Sequence, residues 1–274
     1  MHSMQKTRLD ILLVERGLVP SRELGQAFIM AGKVRVAGEL SHKPSQRVAT
    51  DADITVDAGP RFVSRGGFKL EAALDSFELN VAGVTVADVG ASTGGFTDCL
   101  LQREASRVYA IDVGYGQLAW ALRQDPRVVV MERTNARYLS SLPEPVDLVT
   151  VDASFISLKL LLPTAAGWLR PNGQAVALIK PQFEAGKRNV GKGGVVRDPA
   201  VHREVLVDLW SWATARQWGV AGLIASPVRG PAGNVEFLIH LKLRVPTSLE
   251  SEPEIERALA EAEEVKSSDR TLHP

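Results

Sequence analysis

From Val63 to Val245 the chain alternates short apolar runs with amphipathic stretches. Runs at 84–88, 107–111, 127–131, 146–151, 174–179, 220–226 and 235–243 have the length and composition of strands. Segments 66–78, 95–103, 117–124, 157–169 and 199–217 repeat apolar residues at helical spacing. Such alternation predicts a parallel sheet covered by helices on both faces. No helix separates the last two runs, which Pro227–Asn234 joins, so they are expected as antiparallel neighbours. Before Val63 the pattern changes. Arg8–Arg16 sets Leu9, Leu12 and Leu13 on one helical face, and Ser21 is suited to cap a second helix that runs through Met30 and stops at Gly32. Lys33–Gly38 alternates like a strand, and Val48 and Asp53–Val56 supply more strand material. Asp57-Ala-Gly-Pro60 reads as the exit from this module.

The expected fold is therefore α/β: a Rossmann-like, seven-stranded domain preceded by a small α+β module. The expected boundaries are 1–60 for the module, 61–64 for a linker, 65–246 for the large domain and 247–274 for an acidic tail. Ile255, Leu259, Ala262 and Val265 share one face of that tail, which can form a helix with its glutamates solvated.

Composition narrows the class. Of 274 residues 45% are hydrophobic and the net charge is zero, as in an ordinary globular chain. No apolar stretch reaches the length of a membrane helix and no signal peptide opens the chain, so no membrane association and a cytoplasmic location are expected. One cysteine, Cys99, excludes an intramolecular disulfide and reads as a small buried residue in a helix. His2, His42, His202, His240 and His273 lack metal-ligand spacing, so no metal site is expected. Charge is uneven: residues 1–50 hold eight Lys/Arg against four Asp/Glu, whereas residues 250–264 hold seven Glu and one Arg. A local basic excess is the footprint of nucleic-acid binding.

The stretch Asp88-Val-Gly-Ala-Ser-Thr-Gly-Gly-Phe96 follows a strand and opens a helix. Glycines there let the backbone approach a ligand, and a helix N-terminus supplies free N–H groups. The spacing, with Gly90, Gly94 and Gly95 around Ser92 and Thr93, is not that of nicotinamide enzymes. Preceded by Asp88, it suits a cofactor without pyrophosphate, such as S-adenosylmethionine (SAM). Asp112 ends the next strand about twenty residues later, where an acid grips ribose hydroxyls; alone it would read as a capping residue in a turn. Asp152 and Lys180 also end strands, Glu236 opens an antiparallel last strand, and Lys69 lies in the first turn of the helix before the sheet. All four fall at the edge where α/β sheets bind ligands. Singly, each reads as a surface ion pair. Together, two lysines and two carboxylates near a sulfonium suit methyl transfer to a poor nucleophile, with one lysine as base beside a second cation. Lys180 is expected to be that base or the closest partner of the attacking hydroxyl.

Six segments closely resemble the TlyA family, also called haemolysin A or FtsJ-like rRNA methyltransferases: Asp88–Phe96, Asp112–Leu118, Glu132–Arg137, Asp152–Ser157, Lys180–Glu184 and Gly233–Glu236. Ser21–Val36 resembles that family's small S4-type RNA-binding domain. The resemblance implies SAM-dependent 2′-O-methylation of cytidine in ribosomal RNA (23S, with 16S as a further substrate) and rRNA or ribosomal subunits as partners. It implies a Lys69, Asp152, Lys180, Glu236 tetrad and a cofactor site that also draws on Asn135 and Asp152. Arg61-Phe-Val63 departs from the family pattern, which has a tryptophan before the valine. Within the family, the residues before Arg8 and the acidic tail point to the longer type, active on both rRNAs.

Arg8, Arg22, Lys33 and Lys43 in the small module, and Arg65, Arg133, Arg137, Lys187, Arg188 and Lys192 around the large domain's site, are the expected RNA contacts. The glycine- and lysine-rich loop Phe183–Arg197 resembles a flap over substrate. Two rival classes are a non-catalytic RNA-binding protein on a methyltransferase fold and, disfavoured, a membrane-active haemolysin. The sequence leaves the oligomeric state open.

Overall fold

The computed structural model describes residues 5–57 and 59–271, with side chains of the last helix described to residue 265. The chain divides into two compact units, residues 1–61 and 62–274.

The first unit orders β1 (Lys6–Arg8), α1 (Leu9–Glu15), α2 (Arg22–Met30), β2 (Val34–Val36), β3 (Glu39–Leu40), β4 (Arg47–Ala49) and β5 (Ile54–Val56). β1 pairs antiparallel with β4, and β2 pairs with β3 and β5. The expected helices hold to within a residue or two. Ser21 Oγ accepts the Leu24 N–H (3.3 Å), and Gly32 turns the chain beyond α2 at φ +69°. Leu9, Leu12, Leu13, Val19, Ile29, Val34, Val48 and Ile54 form the unit's core. Asp10, with no exposed surface, accepts two hydrogen bonds from Arg8 (both 2.9 Å), one from Arg22 (3.0 Å) and one from Gln26 (2.8 Å). The Arg8 guanidinium, with Gln26 and Arg22 behind it, holds this carboxyl well below the usual carboxylate range despite burial.

The second unit runs α3 (Gly66–Ser76), β6 (Thr85–Val89), α4 (Gly95–Gln102), β7 (Arg107–Ile111), α5 (Trp120–Gln124), β8 (Val128–Met131), β9 (Val146–Val151), α6 (Leu158–Ala166), β10 (Leu169–Ile179), α7 (Pro181–Glu184), α8 (Pro199–Thr214), β11 (Trp218–Ala225), β12 (Phe237–Leu243) and α9 (Ser251–Thr271). The seven strands lie in the order β11-β12-β10-β9-β6-β7-β8. β12 slots antiparallel between β10 and β11, and the other pairings are parallel. β6 pairs with β7 on one side and β9 on the other, so the strand order reverses between β6 and β9. That switch point opens a crevice at the carboxyl ends of the strands. One core cluster joins the sheet to α6, α8 and α9 through residues such as Leu162, Leu209, Trp210 and Ile255. The opposite cluster joins it to α3, α4 and α5 through Leu70, Leu74, Leu100 and Leu122. Full burial of one such leucine contributes about 1.5–3 kcal/mol.

Three elements differ from expectation. α5 starts at Trp120 because the preceding residues form a turn, in which the Ala119 N–H is bonded to the Thr93 carbonyl (3.1 Å). β10 begins early, at Leu169, with a register break before Gln174 where Asn172 adopts φ +63°. The tail is a packed helix: Ile255, Ala258 and Ala262 are buried. Its polar side chains also serve edge strand β11. Glu261 accepts the Ala225 N–H (3.0 Å), and Arg257 donates to the Leu223 carbonyl (2.7 Å). Glu261 is thus not the solvated residue the pattern implied.

Candidate active site

Two cavities meet at the switch point. The first, about 500 Å³, is lined by Ser64, Arg65, Gly66, Lys69, Gly90–Thr93, Gly95, Phe96, Asp152, Ser154, Lys180, Pro231 and Glu236. The second, about 430 Å³, shares Gly90, Ser92, Asp152 and Ser154 with it and continues past Asp112, Gln117 and Asn135. The two form one trough.

The first cavity is framed by two helix starts. A Cβ on Gly95 would sit 2.3 Å from Ser64 Oγ and 2.9 Å from the Gly67 nitrogen, so only glycine lets the N-termini of α3 and α4 approach this closely. Free N–H groups of both helices therefore border the same space, a setting that favours a carboxylate. Gly90, at φ +83°, passes so close to the Asp152 carbonyl that a Cβ would lie 2.6 Å from its oxygen.

Lys69, Asp152, Lys180 and Glu236 all reach the first cavity, as two ion pairs. Lys69 Nζ lies 2.5 Å from Glu236 Oε2, with both side chains under a tenth exposed. Lys180 Nζ lies 2.7 Å from Asp152 Oδ1 and donates to Ser154 Oγ (2.9 Å). Lys180 follows β10 and Asp152 follows β9, so the parallel register of those strands brings the pair together. Glu236 reaches the same edge because β12 runs antiparallel.

In the second cavity Val89, Ile111, Ala136, Ile156 and Leu161 provide apolar walls. Asp112 accepts the N–H groups of Ser92 (2.8 Å) and Gly114 (2.7 Å), which fixes its carboxylate at the cavity edge. Asn135 Oδ1 accepts the Arg137 N–H, and Asn135 lines the same wall. Ser92, Thr93, Gly90, Gly95 and Phe96 also lie on the trough.

Of the residues expected at the cofactor, Asp88 and Gly94 line neither cavity. The Asp88 carboxylate points into the protein, where the hydroxyls of Thr97 (2.7 Å) and Thr150 (2.9 Å) donate to it. Burial pushes its carboxyl up to about 6, against the lowering effect of those hydroxyls. It braces the turn from beneath. Gly94, at φ +100°, faces α5: a Cβ there would meet Leu122 Cδ1 at 2.2 Å and Leu118 Cδ1 at 2.8 Å. Its smallness serves helix packing.

Ser154, Gln117, Ser64 and Pro231 line the trough without having been singled out in the sequence. A hydroxyl two residues beyond the strand-end Asp152 was the available signal for Ser154. A third cavity, about 690 Å³, shares Phe155 and Ile156 with the trough and has Arg137 and Lys187 on its rim. Phe155 is 91% exposed, and its ring lies 5.0 Å from that of Phe183.

The cations expected to meet RNA are dispersed. Arg65 lines the first cavity and donates to the Arg229 carbonyl (3.3 Å). Arg133 stacks on Tyr115 at 4.2 Å, and Arg137 lies over Tyr138 at 5.4 Å. Lys187, Arg188 and Lys192 are exposed on the flap. In the first unit Lys43 is exposed, Lys33 lies over the Phe28 ring (5.3 Å), and Arg8 and Arg22 are engaged with Asp10 while 39% and 48% of their side chains stay accessible. Phe62 is buried edge-on against Phe68 at 5.1 Å. Among the described residues no group of His, Cys, Asp or Glu is arranged to hold a metal, and no helix is long and apolar enough to cross a membrane.

Residues 62–243 match the FtsJ-like methyltransferase family, and residues 7–54 match the S4 domain. The chain is 46% identical over 266 residues to the 16S/23S rRNA (cytidine-2′-O)-methyltransferase TlyA of Mycobacterium tuberculosis, covering 94% of this chain and 98% of that protein. It is 51% identical over 244 residues to YqxC of Bacillus subtilis, a candidate rRNA methyltransferase, covering 86% of each. A solved structure of a candidate hemolysin from Streptococcus thermophilus is 40% identical, with a TM-score of 0.74 over 98% of this chain and 100% of that one. Matched across nearly its whole length by relatives of similar size, the chain belongs to the TlyA family of FtsJ-like methyltransferases.

Proposed function

We propose that this protein transfers a methyl group from SAM to the ribose 2′-hydroxyl of cytidine in ribosomal RNA, with 23S rRNA as substrate and 16S rRNA as a second one. The observation that carries the reading is the convergence of the Lys69–Glu236 and Lys180–Asp152 pairs on one cavity beside the Gly90–Phe96 turn. The names of the relatives supply the nucleoside and the RNA class. An RNA substrate places the enzyme's work in the cytoplasm, where ribosomal subunits are found.

The trough fits SAM in each of its parts. The apolar walls of the second cavity suit adenine, and Asp112 with Asn135 suits the ribose hydroxyls. The helix starts at Gly66 and Gly95 suit the carboxylate of the amino-acid end. When bound, SAM supplies an electrophilic methyl group on a cationic sulfur. Asp152 and Glu236 balance that charge and hold the two lysines in place. Lys180, in its neutral form, accepts the proton of the attacking 2′-hydroxyl. Lys69, held by Glu236, is the second cation of the site. Arg65, Arg133, Arg137, Lys187 and Arg188 then track phosphates around the trough, and Arg8, Arg22, Lys33 and Lys43 do so from the S4 domain.

An RNA-binding protein on an inactive fold has no need of two ion pairs desolvated beside a cavity, since burying such pairs is costly. Purified protein, radiolabelled SAM and unmodified ribosomal subunits test the proposal. Label in RNA that resists alkaline cleavage at the modified nucleotide is the expected result. SAM binding without transfer to either subunit would favour the inactive scaffold.

A further inference from the structure

The flap between Ala185 and Arg197 carries Lys187, Arg188, Lys192 and Arg197 and no acidic residue. Its backbone takes positive φ at Gly186, Gly193 and Gly194. At one end it is continuous, through the single turn of α7, with Lys180 of the Lys180–Asp152 pair. Its other end is held by two side chains, Asn234 and His202. Asn234 Oδ1 accepts the Val196 N–H (3.0 Å), and Nδ2 donates to the Gly194 carbonyl (2.9 Å). The opposite edge of Val196 is fixed as well, its carbonyl bonded to His202 Nε2 (3.1 Å).

Asn234 is 2% exposed and lies two residues before Glu236. Its own carbonyl accepts the Gly230 N–H (2.9 Å), closing the turn that backs the Glu236 carboxylate. Gly230 is packed so tightly there that a Cβ would lie 2.5 Å from Glu236 Oε1. The flap thus spans the two ion pairs, joined to one by the chain and to the other by the Asn234 carboxamide.

The geometry points to Asn234 as a positioning residue that couples flap engagement by RNA phosphates to the alignment of Glu236 and Lys69. The inference rests on the proposed RNA methylation. Phosphates drawn to Lys187, Arg188 and Lys192 load the flap, and the Asn234 clamp carries that load toward Glu236. Neither half of the carboxamide is dispensable. Aspartate keeps the acceptor for Val196 but loses the donor for Gly194 and adds a charge near Glu236.

The test is a double-mutant cycle in the full-length protein, read by single-turnover methylation of ribosomal subunits at saturating SAM. Lys187→Ala alone is expected to slow transfer several-fold. Asn234→Ala alone is expected to lower the rate at saturating RNA about tenfold or more, with SAM affinity by calorimetry unchanged. Combined, the two are expected to cost clearly less than the product of the single effects, because the flap charge no longer reaches the ion pair. Asn234→Asp should behave like Asn234→Ala. Trypsin should cut at Lys187, Arg188 and Lys192 faster in both Asn234 variants at unchanged thermal midpoint. Multiplicative effects in the cycle, or a loss of SAM affinity and thermal stability in parallel with rate, would overturn the coupling and leave a merely structural asparagine. A wild-type enzyme that methylates no RNA ribose would instead remove the proposed function on which the coupling stands.

Discussion

Lys69 and Glu236 stand 167 positions apart in the chain, and their side chains meet at 2.5 Å in the wall of the first cavity. The pair ties the helix that enters the domain to the strand that completes its sheet, so the site assembles only when the sheet is complete. Breaking a buried pair by removing one partner leaves an uncompensated charge and typically costs about 3–5 kcal/mol. Glu236→Gln is therefore expected to lower stability to urea by that order. Lys69→Met combined with Glu236→Leu should recover most of the loss while transfer activity stays absent. Recovery of activity in the double variant would show that the pair serves stability alone.

Lys180 is the group expected to handle the proton of the attacking hydroxyl. Lys180→Ala should slow single-turnover transfer about 10²–10⁴-fold, the usual range for a general base. Calorimetric affinity for SAM should stay close to that of the wild type, since Lys180 lies at the reacting end of the trough and not on its apolar adenine wall. Near-normal rates in this variant would remove Lys180 from the chemistry.

How much of this was legible in the sequence depended on what each residue needed to be recognised. Asp112 and Asp152 stood out because an acid at the end of an apolar run has a short list of uses. The pairing of Lys69 with Glu236 was not readable as a contact, since it depends on β12 entering between β10 and β11. The side-chain partners of Asp88 were not legible, because an acid before a glycine turn looks the same whether it faces a ligand or the hydroxyls of Thr97 and Thr150. The packing around Gly94 was hidden for a related reason: a glycine turn reads the same whether a ligand or, as here, Leu118 and Leu122 approach it closely. Helical periodicity found the apolar stripe of α9, yet it carries no information on which glutamate meets a strand edge.

Acid titration should separate two buried groups of opposite sign. Burial, aided by Lys242, depresses His240 to about 4, while unfolded histidine titrates near 6.5. Between those values the unfolded chain binds more protons, so stability falls as pH drops from about 6.5 to 4, by about 3 kcal/mol at full extent. Asp88 works the other way. Its folded value of about 6 lies above the unfolded one near 4, so its contribution is present at low pH and lost as pH rises through that window. His240→Gln removes only the first effect. Urea midpoints at pH 4.5, 5.5 and 6.5 should show the variant gaining on the wild type as pH falls, and parallel curves would refute the assignment.

The C-terminal helix protects a sheet edge. Glu261 and Arg257 satisfy the Ala225 N–H and the Leu223 carbonyl of edge strand β11. Exposed strand edges invite pairing with other chains. Arg257→Ala with Glu261→Ala should cost about 1–3 kcal/mol in urea denaturation and raise light scattering on mild heating, without altering SAM affinity. Unchanged stability and scattering would mean that water serves the edge equally well.

Arg22 probes the division of labour between the units. It opens α2 and shares Asp10 with Arg8, so its loss leaves the Asp10 hub held by Arg8 and Gln26. Arg22→Ala should weaken binding to structured rRNA and reduce the slope of log affinity against log salt by about one. SAM affinity should not move. An unchanged salt slope would place the phosphate contacts of the S4 domain elsewhere.

Ribose methylation can be mapped on 23S and 16S rRNA after incubating unmodified subunits with SAM and either the wild-type protein or Lys180→Ala. If the protein is a ribose methyltransferase that works through Lys180, 2′-O-methylcytidine appears at discrete sites with the wild type and at none with the variant. Methyl groups found on bases, no modification by the wild type, or the same ribose sites modified by Lys180→Ala would contradict that reading.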